Sequence, residues 1–110
     1  MQKMIIGALL GLLAVSSSAL ALDEEAAKAL AKKNDCFKCH AIDKPKKGPS
    51  YKKIAEKYKG KEAASEDKLI KHLTTGPKVK LEDGTEEEHR NIEAKDKAEI
   101  KNLIQWVLAQ

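Results

Sequence analysis

The sequence predicts a small all-α domain, and three observations predict it. Four stretches carry helical signals, with apolar residues at helical spacing or capping residues at their starts. No stretch alternates well enough to make a convincing strand. The composition is that of a charged, helix-rich chain: charged residues make up 35% and aromatics 4%, with Phe37, Tyr51, Tyr58 and Trp106 the whole aromatic set. At 110 residues the chain allows one domain. A domain of this size buries only about 60% of its unfolded surface and is marginal without a staple or a large buried group.

The domain does not begin at residue 1. Met1-Gln2-Lys3 supplies a short positive start, and Met4 to Val15 is apolar apart from two glycines. Ser16-Ser17-Ser18 lead into Ala19-Leu20-Ala21, which fits the small-x-small cleavage pattern of a secretory signal. Residues 1–21 are therefore expected to be a cleaved signal peptide, and residues 22–110 the mature domain. The rival is a retained membrane anchor, but the apolar run is shorter than the roughly 20 residues a spanning helix needs, and an acidic segment follows at once. Export places the mature chain outside the cytoplasm, with a periplasm the expected compartment and no stable membrane span after processing. Such a compartment is oxidising.

The first helix starts at Asp23 as cap and runs through Lys33, with Ala27, Leu30 and Ala31 on one face; Asn34 is its stop. A lysine-rich loop, Ala41 to Gly48, contains Pro45 and ends at Gly48-Pro49. Ser50 caps a second helix, Tyr51 to Lys59, which Gly60 terminates. Ser65 caps a third, with Leu69, Ile70 and Leu73 on its apolar side, stopped at Gly76-Pro77. Pro77 to Ala94 reads as a long loop. Asp83-Gly84 suits a hairpin turn, but the run Glu86-Glu87-Glu88 argues against a stable second strand, and long loops in compact domains are usually functional. The last helix is the clearest. Asp96 with Glu99 makes a start like a capping box, and Ile100, Leu103, Ile104, Val107 and Leu108 follow at i, i+3, i+4, i+7, i+8.

The chemistry lies between the first helix and the lysine loop. Cys36-Phe37-Lys38-Cys39-His40 is C-x-x-C-H, the attachment signal for c-type haem. Two residues between the thiols let each sulfur add to one of two neighbouring haem vinyl groups. A histidine directly after the second cysteine then lies under the iron. Three rivals are weaker. A thioredoxin-like pair needs a βαβ context, and no strand precedes Cys36. A zinc site needs a second ligand pair at metal spacing, but His72 and His89 are too far apart in sequence and there is no third cysteine. A local disulfide with an incidental histidine leaves the thin apolar inventory unexplained.

With these residues in hand, residues 22–110 resemble a small bacterial class I cytochrome c. The resemblance covers helix, C-x-x-C-H, lysine-bearing loop, Gly48-Pro49, two short helices, a ligand loop and an amphipathic C-terminal helix. It implies the class I cytochrome c fold: three to four helices around one covalently attached haem c and its iron, with the N- and C-terminal helices crossing. Here Ala27, Leu30 and Ala31 would meet the Ile100–Leu108 stripe. It also implies that the Pro49 carbonyl accepts a hydrogen bond from His40, fixing its tautomer and raising its basicity.

The chain departs from the family at the sixth ligand. A methionine in the loop before the last helix is usual, but the only methionines, Met1 and Met4, leave with the signal. His89 occupies that loop and is the expected replacement, ahead of His72, an open iron, or a lysine ligand. His72 is expected to be a solvated surface side chain on the third helix. The acidic run beside His89 is expected to favour its protonated form in the apoprotein. Iron needs the neutral imidazole, so acid should compete with ligation.

Lys44, Lys46 and Lys47 read either as a collar steering an acidic redox partner or as solvated surface, with equal weight. Removal of Lys3 leaves 17 acidic residues against a basic set one smaller than the full 21, too mild an excess to suggest nucleic acid. The function expected is a periplasmic monohaem one-electron carrier with bis-histidine ligation, passing electrons between redox partner proteins. It is not expected to be an enzyme, because no distal acid–base constellation is readable. Two alternatives stand beside it: a haem protein with an exchangeable sixth site, and a haem-bearing subunit docked on a larger oxidoreductase.

Overall fold

The computed structural model describes Gly11 and residues 22–110, so the expected signal peptide lies, apart from Gly11, outside the described residues. Helix α1 spans Glu24–Lys33. The Asp23 carboxylate caps it by accepting from the Ala26 N–H at 3.0 Å. Glu24 and Glu25 in its first turn and Lys32 and Lys33 in its last complement the helix dipole. A single 3-10 turn, Cys36–Lys38, follows directly. Asp35, between the two, has φ 57°, left-handed backbone in a non-glycine residue.

Helix α2 covers Tyr51–Lys57, capped by the Ser50 hydroxyl, which accepts from the Lys53 N–H at 3.1 Å. It ends two residues earlier than its sequence pattern suggests. Helix α3 covers Glu62–Thr74 and departs from expectation at its start. Ser65 lies inside the helix and Lys61 occupies the cap position. No side chain among the described residues caps α3; the Glu62 carboxylate instead accepts from the Gly60 N–H at 3.0 Å, tying the first turn to the residue ahead of the cap. Helix α4 covers Lys97–Leu108. Asp96 accepts from the Glu99 N–H at 3.0 Å, while the Glu99 carboxylate accepts from the Lys95 N–H at 2.7 Å.

The expected long loop between α3 and α4 contains a hairpin. Strands β1, Lys78–Lys80, and β2, Glu86–Glu88, pair antiparallel with Lys78 opposite Glu88 and Lys80 opposite Glu86. Glu86 and Glu88, unfavourable neighbours alone, lie opposite lysines across the ladder, with Glu87 opposite Val79, and opposite charges directly opposed stabilise such a pair. The turn is closed by Leu81 N–H to Thr85 O at 2.7 Å, by the Asp83 carboxylate accepting from Thr85, and by Gly84 at φ 87°.

One small core joins the elements. Ala27, Leu30 and Ala31 of α1 pack with Leu103 and Trp106 of α4 and with Tyr51 of α2, and Phe37, Leu73 and Ile92 lie against them. Fully burying one such apolar side chain contributes about 1.5–3 kcal/mol, and few residues here contribute. Among the described residues, no helix is long and apolar enough to cross a membrane.

Candidate cofactor site

The site is built from two segments that approach each other beside this core. The first is the cysteine turn and the loop after it. Cys36 and Cys39 are both half-buried free thiols, not joined as a disulfide. Burial pushes the Cys36 thiol up, against the lowering effect of a hydrogen bond with Tyr51. Tyr51 is itself raised, first by burial and then by the proximity of Cys36.

His40 is fixed from two sides. Its Nδ1 lies 2.6 Å from the Pro49 carbonyl oxygen, so the nitrogen carrying the proton donates there and Nε2 is left free to bind a metal. Its ring stacks on Tyr51 at 5.2 Å between centroids and 19° between planes. The loop that brings Pro49 under His40 is drawn in by Gly48 N–H to Cys39 O at 2.7 Å and Tyr51 N–H to Ala41 O at 2.9 Å. Gly48 is required by space: a Cβ there would stand 2.7 Å from His40 Cε1 and 3.2 Å from the Cys39 carbonyl. Sequence reasoning found the Gly-Pro pair but missed this contact and the Tyr51 stack.

The second segment follows the hairpin. His89 N–H donates to the Pro77 carbonyl at 2.8 Å, and His89 Nδ1 lies 3.0 Å from the Arg90 carbonyl oxygen, leaving its Nε2 free as well. The His40 and His89 ring centroids lie 6.3 Å apart, with the ring planes tilted by 41°. Two imidazoles on opposite sides of one metal ion, each with a metal–nitrogen bond of about 2.0–2.1 Å, place their centroids about 6 Å apart. The His72 ring lies 4.4 Å from that of His89, so a second imidazole stands beside the one nearest His40.

Two expectations about the histidines are corrected. His72 is no solvated side chain, because its ring is half-buried against His89. The acidic run does not favour protonation of His89. Burial lowers its affinity for a proton, His40 adds to that lowering, and the bond to the Arg90 carbonyl opposes it only in part. Glu86, Glu87 and Glu88 are exposed, and water screens them. His72 is lowered likewise, first by burial and then by His89 and His40.

The wall is aromatic. Phe37, Tyr51 and Trp106 meet edge to face at centroid separations of 5.5–6.2 Å. The Trp106 indole is 1% exposed, and its Nε1 has no hydrogen-bond partner among the described residues. Among the same residues no group of three or more His, Cys, Asp or Glu could hold a bare metal ion. Two adjacent thiols, paired imidazoles with free Nε2 atoms and an aromatic wall fit a haem, whose macrocycle brings its own four nitrogens.

Lys46 is tied back, its ammonium donating to the Phe37 carbonyl at 2.7 Å. The hairpin docks on the same loop, with Glu82 N–H donating to the Lys47 carbonyl at 3.1 Å. Lys44, Lys46 and Lys47 are all exposed beside Ile42, one of two large apolar side chains exposed among the described residues.

Comparison with known proteins identifies the family. The cytochrome c family model matches residues 24–110. Cytochrome c-551 of Allochromatium vinosum is 33% identical over 79 residues, covering 72% of this chain and 80% of that protein. Among solved structures, the class 1 cytochrome MtoD from Sideroxydans lithotrophicus ES-1 superposes with a TM-score of 0.75 at 59% identity, over 81% of this chain and 97% of that one. Cytochrome c552 of Nitrosomonas europaea superposes with a TM-score of 0.57 at 31% identity, over 74% of this chain and 95% of that one.

Proposed function

This chain belongs to the cytochrome c family, and we propose that it is a periplasmic monohaem one-electron carrier whose iron is held by His40 and His89. Members of the family carry one covalently attached haem c, which supplies a ferric–ferrous couple. The rest falls to the chain. Cys36 and Cys39 would anchor the group through thioether links, and His40 would supply one ligand to its iron. The Pro49 carbonyl holds the His40 Nδ1 proton, so that Nε2 faces the iron with raised basicity.

The observation that carries the bis-histidine reading is the spacing of the His40 and His89 rings. The rings are 6.3 Å apart, each with Nδ1 engaged by a backbone carbonyl. Residues 22–110 contain no methionine to compete. Two imidazoles that stay bound in both oxidation states leave little to rearrange when an electron moves. They also set a lower potential than a histidine–methionine pair. Exposed Ile42 among Lys44, Lys46 and Lys47 supports a docking face with an apolar centre and a charged rim, suited to an acidic redox partner.

Visible and electron paramagnetic resonance spectra of the ferric holoprotein test the ligand set. A low-spin signal of the bis-imidazole type supports the proposal, whereas a high-spin signal or a thioether-to-iron band would overturn it. Osmotic-shock fractionation, with the mass of the released chain, tests export: haem protein beginning at Leu22 should appear in the periplasmic fraction.

A further inference from the structure

The segment bearing His89 is fastened to the residues just ahead of the cysteine turn by two links of different character. The first is buried. Asn34 is 4% exposed, and its Nδ2 donates to the Leu30 carbonyl at 3.0 Å and to the Glu93 carbonyl at 3.1 Å, while its Oδ1 accepts from the Glu93 N–H at 2.7 Å. One side chain thus joins the end of α1 to the chain four residues beyond His89. The second link is exposed. Arg90, the neighbour of His89, donates from Nη1 to the Asp35 carboxylate at 2.5 Å, with side chains 62% and 35% exposed.

Asp35 is the left-handed residue between α1 and the cysteine turn. Glycine adopts that backbone without cost, and aspartate does not. Its side chain reaches Arg90 from that strained position and also lies 3.7 Å from the Lys38 ammonium. Cys36, next in the chain, carries the covalent attachment in the proposed reading. Asp35 and Asn34 therefore connect the anchored side of the site to the side that supplies the sixth ligand.

We propose that Asn34 and the Asp35–Arg90 pair are positioning residues for the sixth ligand, setting how readily His89 leaves the iron. This rests on His89 being that ligand. Asn34 is the permanent fastening, since its bonds are buried and insensitive to salt. The Asp35–Arg90 pair is the adjustable one, because an exposed ion pair weakens as ionic strength rises. The Arg90 carbonyl that orients the His89 ring moves with this link, so opening it loosens the orientation as well as the tether.

Carbon monoxide binding to the reduced holoprotein reads this directly. At saturating carbon monoxide the rate is limited by departure of the sixth ligand, and the probe is uncharged. Asp35→Gly, which relieves the backbone while removing the carboxylate, and Arg90→Gln should each raise that limiting rate roughly two- to fivefold at low ionic strength, the range an exposed pair can supply. Both should keep a low-spin spectrum. The parent rate should rise with salt, and both variants should lose most of that dependence. Asn34→Ala should raise the rate about tenfold or more, as loss of buried hydrogen bonds implies. If it fails to fold, the two surface variants still decide. Parent-like limiting rates in Asp35→Gly and Arg90→Gln, with His89→Ala binding carbon monoxide without a ligand-departure limit, would overturn the positioning role and leave the ligand assignment standing. A parent-like rate in His89→Ala would instead remove the ligand assignment itself.

Discussion

The two sides of the site hold a histidine in similar ways but are assembled differently. On the proximal side everything is local. Cys36, Cys39, His40, Gly48, Pro49 and Tyr51 fall within sixteen consecutive positions, and the bonds that fix His40 join residues no more than about a dozen apart. On the distal side, His89 depends on Pro77, while the segment after it depends on Asn34 and Asp35, which are 59 and 55 positions from their partners. A local arrangement survives partial loosening of the fold, because short loops cost little entropy to close. The distal one exists only while α1, the hairpin and the start of α4 are in register. The proximal ligand should therefore be permanent and the distal one conditional.

The harshest way to break the comparison is to remove the anchor. Cys36→Ala with Cys39→Ala should abolish covalent haem and leave little folded protein, because the apolar core is small. Haem-dependent peroxidase staining after denaturing electrophoresis and far-ultraviolet circular dichroism measure both losses. Haem-free protein should likewise be largely unfolded, as expected when a bound group stabilises only the native state. A cooperative melt in apoprotein close to that of the holoprotein would contradict this.

A milder strike on the proximal side is Gly48→Ala. The added Cβ meets His40 and backbone that cannot yield, so overpacking should cost about 1–3 kcal/mol. Denaturant titration of the holoprotein measures this. On the distal side, His89→Met should keep six-coordinate iron and raise the reduction potential, since a thioether favours ferrous haem. The smallest effect lies furthest from the iron: Glu86→Lys sets like charges opposite Lys80 and should weaken the hairpin by about 0.2–1 kcal/mol. Amide hydrogen exchange at Leu81 and Thr85 would report it.

The same division decided what the sequence could reveal. The proximal motif is readable because its spacing is its chemistry. Helices α1 and α4 are readable because Asp23, Asp96 and Glu99 cap them locally and their apolar faces repeat at helical spacing. Asp83-Gly84 marked the hairpin turn, but its second strand was discounted because Glu86 and Glu88 gain their stabilisation only across the ladder from Lys80 and Lys78. The start of α3 was misplaced because the helix begins at Glu62 with no side-chain cap, which leaves no capping residue to mark it. The clasp of Asn34 on Glu93 could not be read at all, since nothing in either neighbourhood names the other. His89 could be reached only by elimination and by its place in the loop, and the apposition of its ring to His72 needed the folded chain.

The central claim, that His89 completes the iron's coordination opposite His40, is tested most directly by electron paramagnetic resonance of three ferric holoproteins: the parent, His89→Ala and His72→Ala. Ligation by His89 predicts a low-spin parent, a high-spin component in His89→Ala, and a low-spin His72→Ala like the parent. A low-spin His89→Ala together with a high-spin His72→Ala would move the ligand to His72, and two variants both indistinguishable from the parent would contradict His89 as the required ligand.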